Sequence, residues 1–212
     1  MPAHASTADL LTLHALRLGG MGEPPAVAAR FRLDPVTVEE LLLDFAAYGW
    51  VRHSNFGGDG GWSLTEAGRR EGERRLAAEL AATGAGAEVT RAHAAFLPLN
   101  ARFQDAVTRW QLRPLPGEPM AHNDHTDPRW DDRVLDELAG LGARLAPVCA
   151  DLAAVLTRFD GYTDRYLSAL GQVERGLRRW VDGIGIDSCH RVWFELHEDL
   201  LATLGIERGE DA

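Results

Sequence analysis

Residues 27–51 read VAARFRLDPVTVEELLLDFAAYGWV, and the spacing predicts two helices joined by a tight turn. Val27, Ala28 and Phe31 recur on one face of the first helix, leaving Arg30 and Arg32 on the wet side, while Pro24 and Pro25 suit its opening turn. Asp34 is the expected N-cap of the second helix, because its carboxylate can accept a backbone N–H two or three residues on. Pro35 fits the first helical position, where a missing N–H costs nothing. Val38, Leu41, Leu42, Phe45 and Tyr48 then build an apolar side, and Gly49 ends the helix.

Outward from that pair, Asp9–Leu18 predicts an earlier helix through Leu10, Leu11, His14 and Leu18, stopped at Gly19 and Gly20. Downstream the period changes. Trp50–His53 and Gly61–Leu64 are short strand candidates, joined by SNFGGDG at residues 54–60, whose glycines permit a hairpin tip. Thr65 can cap a further helix over Glu66–Leu80. The predicted order is three helices, a two-stranded β-hairpin and a fourth helix, a winged helix-turn-helix.

Residues 27–51, together with WSLTEAGRREGERRLAAEL at residues 62–80, resemble the winged-helix domain of MarR-like bacterial transcription regulators. The resemblance covers about residues 9–80. It implies that Ala28, Phe31, Leu33, Val38 and Leu42 pack the two helices together. It further implies that Pro35, Val36, Thr37, Glu39, Glu40 and Leu43 lie on the start and exposed side of a recognition helix in double-stranded DNA, with Thr37 as a hydroxyl donor. Arg30, Arg32, Arg52, Arg69 and Arg70 are the expected phosphate contacts, with His53 beside the hairpin. Glu39 and Glu40 can accept from a cytosine amino group, yet with Asp44 they oppose the phosphate backbone. The same acidic side fits a rival, a protein-interaction module that retains the winged helix for assembly.

A seam of small residues, AATGAGAEV at 81–89, divides the chain into a winged-helix domain at 1–87 and a helical dimerisation or effector domain at 88–212. In the second part, residues 88–112 predict a helix, or a helix broken near Pro98 where a bend is expected, and Leu112–Pro128 predicts a long loop. Further helices are expected over Trp130–Leu141, Ala143–Phe159, Tyr162–Leu177 and Ser188–Leu204, with breaks at Gly142, Gly161 and the GIGID stretch. The fold class is therefore mainly α, a winged helix-turn-helix followed by a helical bundle.

Polar groups in the second part have two readings each. His122, Asp124, His125 and Asp127 in HNDHTD are metal-ligand types without zinc or hydrolase spacing, and a capped surface loop is the expected state. Cys189, His190, Glu195, His197 and Glu198 read as packing and polar-edge residues rather than a nucleophile pair. Asp160, Asp164, Arg165, Glu174, Arg175, Arg178 and Arg179, near Tyr162, Tyr166 and Trp180, read as surface ion pairs or as one side of an effector pocket. Trp180 and Trp193 are expected core or interface aromatics. No phosphate-binding loop, HExxH or GxSxG occurs, so no enzyme, metal or cofactor is expected.

The 212 residues carry a formal net charge of -10, with all 22 basic residues arginine. That charge argues against indiscriminate nucleic-acid binding but leaves room for one positive face. Two cysteines give no disulfide framework, no run approaches the roughly 20 apolar residues of a membrane span, and residues 1–9 lack the pattern of a secretory signal. The expected setting is a cytoplasmic homodimer that responds to a small effector.

Overall fold

A computed structural model of the chain describes residues 2–56, 59–207 and 209. Eight α-helices and three strands are found among them: α1 (Ala8–Gly19), β1 (Met21–Gly22), α2 (Pro24–Phe31), α3 (Pro35–Ala47), β2 (Val51–Phe56), β3 (Asp59–Leu64), α4 (Glu66–Thr83), α5 (Gly86–Gln111), α6 (Pro128–Ala153), α7 (Tyr162–Glu174) and α8 (Cys189–Leu204). The first part has the helix and strand order of a winged-helix-like architecture, and a helical bundle follows. Gly57 and Gly58, which the sequence places in the hairpin tip, lie outside the described residues.

The fold class is as expected, with two local corrections and one alternative decided. The sheet has three antiparallel strands in the order β1-β3-β2, because Met21 and Gly22 pair with Ser63 and Trp62. Two residues are too short to show an alternating pattern, so β1 left no periodic signal. Helix α5 continues through Pro98 rather than ending there. Helix α6 runs through Gly142, where a Cβ would come within 2.8 Å of Tyr166 Cε1; this glycine admits a neighbouring ring instead of breaking the helix.

The chain forms two compact units. One comprises Met1–Ala87, Val155–Arg158 and His197–Ala212; the other comprises Glu88–Ala154 and Phe159–Leu196. In the first, Leu13, Leu16, Val27, Ala28, Val38, Leu42, Phe45 and Val51 form a buried core, with Phe31, Leu33, Trp50 and Trp62 packed on it. The LTEAG stretch at 64–68 positions the hairpin against α4. Thr65 Oγ1 accepts from the Gly68 N–H (3.1 Å) as N-cap and donates to Gly49 O (2.7 Å). A Cβ at Gly68 would lie 1.9 Å from Trp50 O, so only glycine allows α4 to start this close to β2.

In the second unit, Phe103 and Trp193 stack with centroids 4.3 Å apart and planes within 2°. Tyr166 donates to Leu138 O (2.9 Å) and Trp193 Nε1 donates to Asn100 Oδ1 (3.0 Å), so the buried aromatics have their polar atoms satisfied.

Candidate nucleic-acid interface

The turn between α2 and α3 is made by Arg32 in the left-handed region (φ 56°), Leu33 and Asp34. Leu33 N–H returns to Ala28 O (2.9 Å), closing α2. Asp34 Oδ2 then accepts from Thr37 N–H and from Thr37 Oγ1, both at 2.9 Å. These bonds hold the Asp34 carboxyl below the ordinary carboxylate range, and they fix the entry of α3. They also commit the Thr37 hydroxyl proton to Asp34, leaving the oxygen lone pairs for any further contact.

The outward side of α3 is apolar and acidic. Val36 and Leu43 are 62% and 58% exposed, and Tyr48, just beyond the helix, is 67% exposed and stacked on Trp50 at 4.8 Å. Pro35, Glu39, Glu40 and Asp44 share the exposed surface. Val38, Leu42 and Phe45 are turned into the core, as the periodicity predicts, whereas Tyr48, expected on the same side, is exposed.

The arginines divide sharply. Arg32 and Arg52 are exposed and, among the described residues, have no carboxylate within ion-pair distance. Arg69 and Arg70 are also exposed, but each reaches a carboxylate one turn away on α4: Glu73 at 3.3 Å and Glu66 at 3.4 Å. Such pairs are weak and can be exchanged for a phosphate at little cost. His53 Nε2 lies 3.0 Å from Glu23 and its ring meets Trp62 edge-on at 5.2 Å. Arg30 differs: its guanidinium lies 4.5 Å over the Phe31 ring with Nη2 sealed from solvent.

Arg30 turns toward a buried polar cluster that closes the first unit. His14 Nε2 lies 2.8 Å from Asp199 Oδ1. Arg158 donates from Nε to Asp199 (3.4 Å) and from Nη2 to Thr203 Oγ1 (2.8 Å), and Nη1 pairs with Glu79. Burial alone would push the Asp199 carboxyl up, but His14, then Arg158 and Arg30, outweigh it and hold it far below the ordinary range. At the rim, Arg17 bridges Glu73 (2.6 Å) and Glu198 (3.0 Å). His14 stood out in the sequence only as one position of a helical stripe; Asp199 and Arg158 carried no signal, since nothing in their local pattern announces partners so far away in the chain.

The polar groups that the sequence singles out in the second unit have separate surroundings. Burial pushes the Cys189 thiol up to about 12 and that of Cys149 up to about 11, the opposite of what a reactive cysteine needs. Arg165 takes Asp187 through two bonds (2.8 and 2.9 Å) and Glu195 through a third (2.8 Å). Asp160, Asp164, Glu174, Arg175, Arg178 and Arg179 are exposed, so of the seven charges only Arg165 turns inward. Within HNDHTD, His122 and Asp124 face solvent, Asp127 caps α6 through Arg129 N–H (3.1 Å), and His125 turns toward Asp131. No group of three or more His, Cys, Asp or Glu suited to a metal ion occurs among the described residues, and no described helix is long and apolar enough to cross a membrane.

Comparison with known protein families, with curated proteins and with solved structures finds no match for this chain.

Proposed function

We propose that this protein is a DNA-binding transcription regulator of the MarR-like kind, with α3 in the major groove and the hairpin of β2 and β3 beside the neighbouring phosphates. The observation that carries this reading is the capped, outward-facing start of α3, with Arg32 in the turn before it and Arg52 on β2, both exposed and, among the described residues, without a carboxylate partner. Arg69, Arg70 and His53 add contacts after leaving Glu73, Glu66 and Glu23. The second unit, Glu88–Ala154 and Phe159–Leu196, serves as the dimerisation or effector domain, and a cytoplasmic homodimer would read two half-sites about 34–36 Å apart or at multiples of that spacing.

Gel-shift titration of genomic fragments at several salt concentrations tests it, with the Arg32→Glu/Arg52→Glu variant alongside. Two phosphate contacts per protomer contribute about −1.8 to the slope of log K against log salt. The double reversal is expected to remove that contribution and retention at low salt. Retention equal to that of the unaltered protein would rule out these contacts. Arg30 is unsuited to this test, because a carboxylate there would stand beside the buried Asp199 and unsettle the fold itself.

A second reading draws on the exposed Val36, Leu43 and Tyr48 among Glu39, Glu40 and Asp44. An apolar ridge edged with carboxylates suits a basic protein segment. The same titration separates the two readings, since a docking module retains no fragment even at the lowest salt.

A further inference from the structure

On a helix, residues three and four apart share a side, so Val36, Glu40, Leu43 and Ala47 form the middle of the exposed stripe of α3. Glu39 lies along one edge of that stripe, and Thr37 and Asp44 lie along the other. Val38, Leu42 and Phe45 take the opposite, buried side.

The stripe has few hydrogens to give. Val36, Leu43 and Ala47 carry no polar side-chain atom, and Glu39, Glu40 and Asp44, as carboxylates, only accept. Thr37 has a hydroxyl, and it lies 2.9 Å from Asp34 Oδ2. The Thr37 N–H and hydroxyl together hold the Asp34 carboxyl ionised below the ordinary range, so that carboxylate has no proton of its own to donate. The hydroxyl hydrogen therefore points to Asp34, and Thr37 Oγ1 keeps only lone pairs free. The helix start adds no donor. Pro35 lacks an N–H, the Thr37 N–H goes to Asp34 Oδ2 (2.9 Å), and the Val38 N–H goes to Asp34 O (3.1 Å).

Base pairs differ in what they show such a surface. In the major groove guanine presents two acceptors, and the polar atom of thymine is also an acceptor. Cytosine presents an amino donor, adenine an amino donor beside N7, and thymine a methyl group. Only the amino groups and the methyl suit a stripe of acceptors and apolar side chains.

We propose that α3 reads double-stranded DNA through acceptors alone: Thr37 Oγ1 and the Glu39 and Glu40 carboxylates take cytosine or adenine amino hydrogens, and Val36 and Leu43 meet thymine methyls. This rests on the reading that α3 lies in the major groove, and it reverses the donor role expected of Thr37. A carboxylate set against guanine N7 and O6, or against thymine O4, opposes acceptor to acceptor, and closure of the interface strips it of water. A wrong base is then penalised instead of merely unrewarded. Arg32 and Arg52 supply attraction to phosphates that carries no sequence information, and the acceptors of α3 decide where that attraction is kept.

The test begins with a duplex selected by the full chain from a randomised pool, remade with one altered base at a time. N4-methylcytosine and N6-methyladenine lose the amino hydrogen that projects into the major groove and keep the one that pairs; 7-deazaguanine and 7-deazaadenine lose N7. At one or more pairs, amino methylation is expected to weaken retention about tenfold, the worth of one hydrogen bond to a charged group. That loss is expected to disappear in Thr37→Ala, Glu39→Ala or Glu40→Ala. All three positions are exposed, and Asp34 still caps α3 through the N–H of residue 37. A 7-deaza loss that disappears in one of these variants would show α3 donating to a purine and overturn the proposal. So would amino-methylation losses that persist in all three variants, or no loss at any amino group. Failure to select any duplex overturns the operator reading together with this one. Selection of a duplex whose retention depends on Arg32 and Arg52 upholds the operator reading whatever the altered bases show.

Discussion

His14 on α1 and Asp199 on α8 stand 2.8 Å apart, with side chains only 1% and 0% exposed. Around them, Arg158 and Arg30 stand against the charges of Asp199 and Glu79. Removing one member leaves an uncompensated charge in the interior. Asp199→Ala is expected to destabilise the protein by about 3–5 kcal/mol, and Arg158→Ala by a similar amount. The double variant should lose much less than the two together, because each single change strands the same partner. Urea unfolding followed by circular dichroism measures this; strictly additive losses would show that the cluster is not a coupled unit.

A fragment ending at residue 87 would contain His14 and Glu79 without Arg158 and Asp199. Its expected behaviour on heating is a gradual loss of ellipticity, without the cooperative transition of the full chain. A sharp transition in the isolated fragment would show that the winged helix closes without the later segments.

Two glycines of α4 should respond oppositely to the same methyl group. Gly68→Ala drives a Cβ into the Trp50 carbonyl and is expected to cost at least about 1–3 kcal/mol. At Gly72 the nearest atom, Leu13 Cβ, is 3.8 Å from the added carbon, so Gly72→Ala should gain about 0.5–1 kcal/mol from helix propensity. Thermal melts of the two variants decide it.

Acid should weaken the first unit in a definite window. Arg74, and with it Arg75, holds the Glu71 carboxyl at about 2 against an ordinary 4.5. A carboxyl with a lowered folded value contributes stability that is complete above the ordinary value and lost as the pH falls through the folded one. The urea midpoint is therefore expected to fall between pH 4.5 and about 2, with Glu71→Gln showing a flatter profile there. Asp199 remains ionised to lower pH still, because its folded value is held far below the ordinary carboxylate range.

The two thiols should be silent in the native state. Both cysteines are buried, and their thiols are shifted toward the protonated form. Modification by a disulfide reagent is expected only at the rate of unfolding; prompt reaction of either residue would contradict its burial.

The first eighty residues were readable because their information is local. Asp34, Pro35 and Thr65 announce helix starts, and the apolar rhythm of Val38, Leu42 and Phe45 marks a buried face, so elements and core emerge from neighbours a few positions apart. The exposed side of α3 was readable for the same reason. Three kinds of information were not local. Gly142 looks like a helix breaker until Tyr166 is seen against it. Arg30 looks like a surface base until Asp199 is placed behind it. His125 looks like one of several loop residues until Asn123 and Asp131 close around its ring. In each case the meaning lies with a partner from another element, and the residue letters alone do not record the pairing.

The order of manufacture follows from the cluster around Asp199. Arg17 and its partner Glu198 are 181 positions apart. At a synthesis rate of about 5–20 residues per second, a ribosome takes roughly 10–40 seconds to make the second after the first. For most of that interval α1 and α4 have both been made, while His14 still lacks Asp199 and, until residue 158, Glu79 lacks Arg158. The nascent winged helix must wait, loosely held, for Arg158 and Asp199 to be made before it can lock.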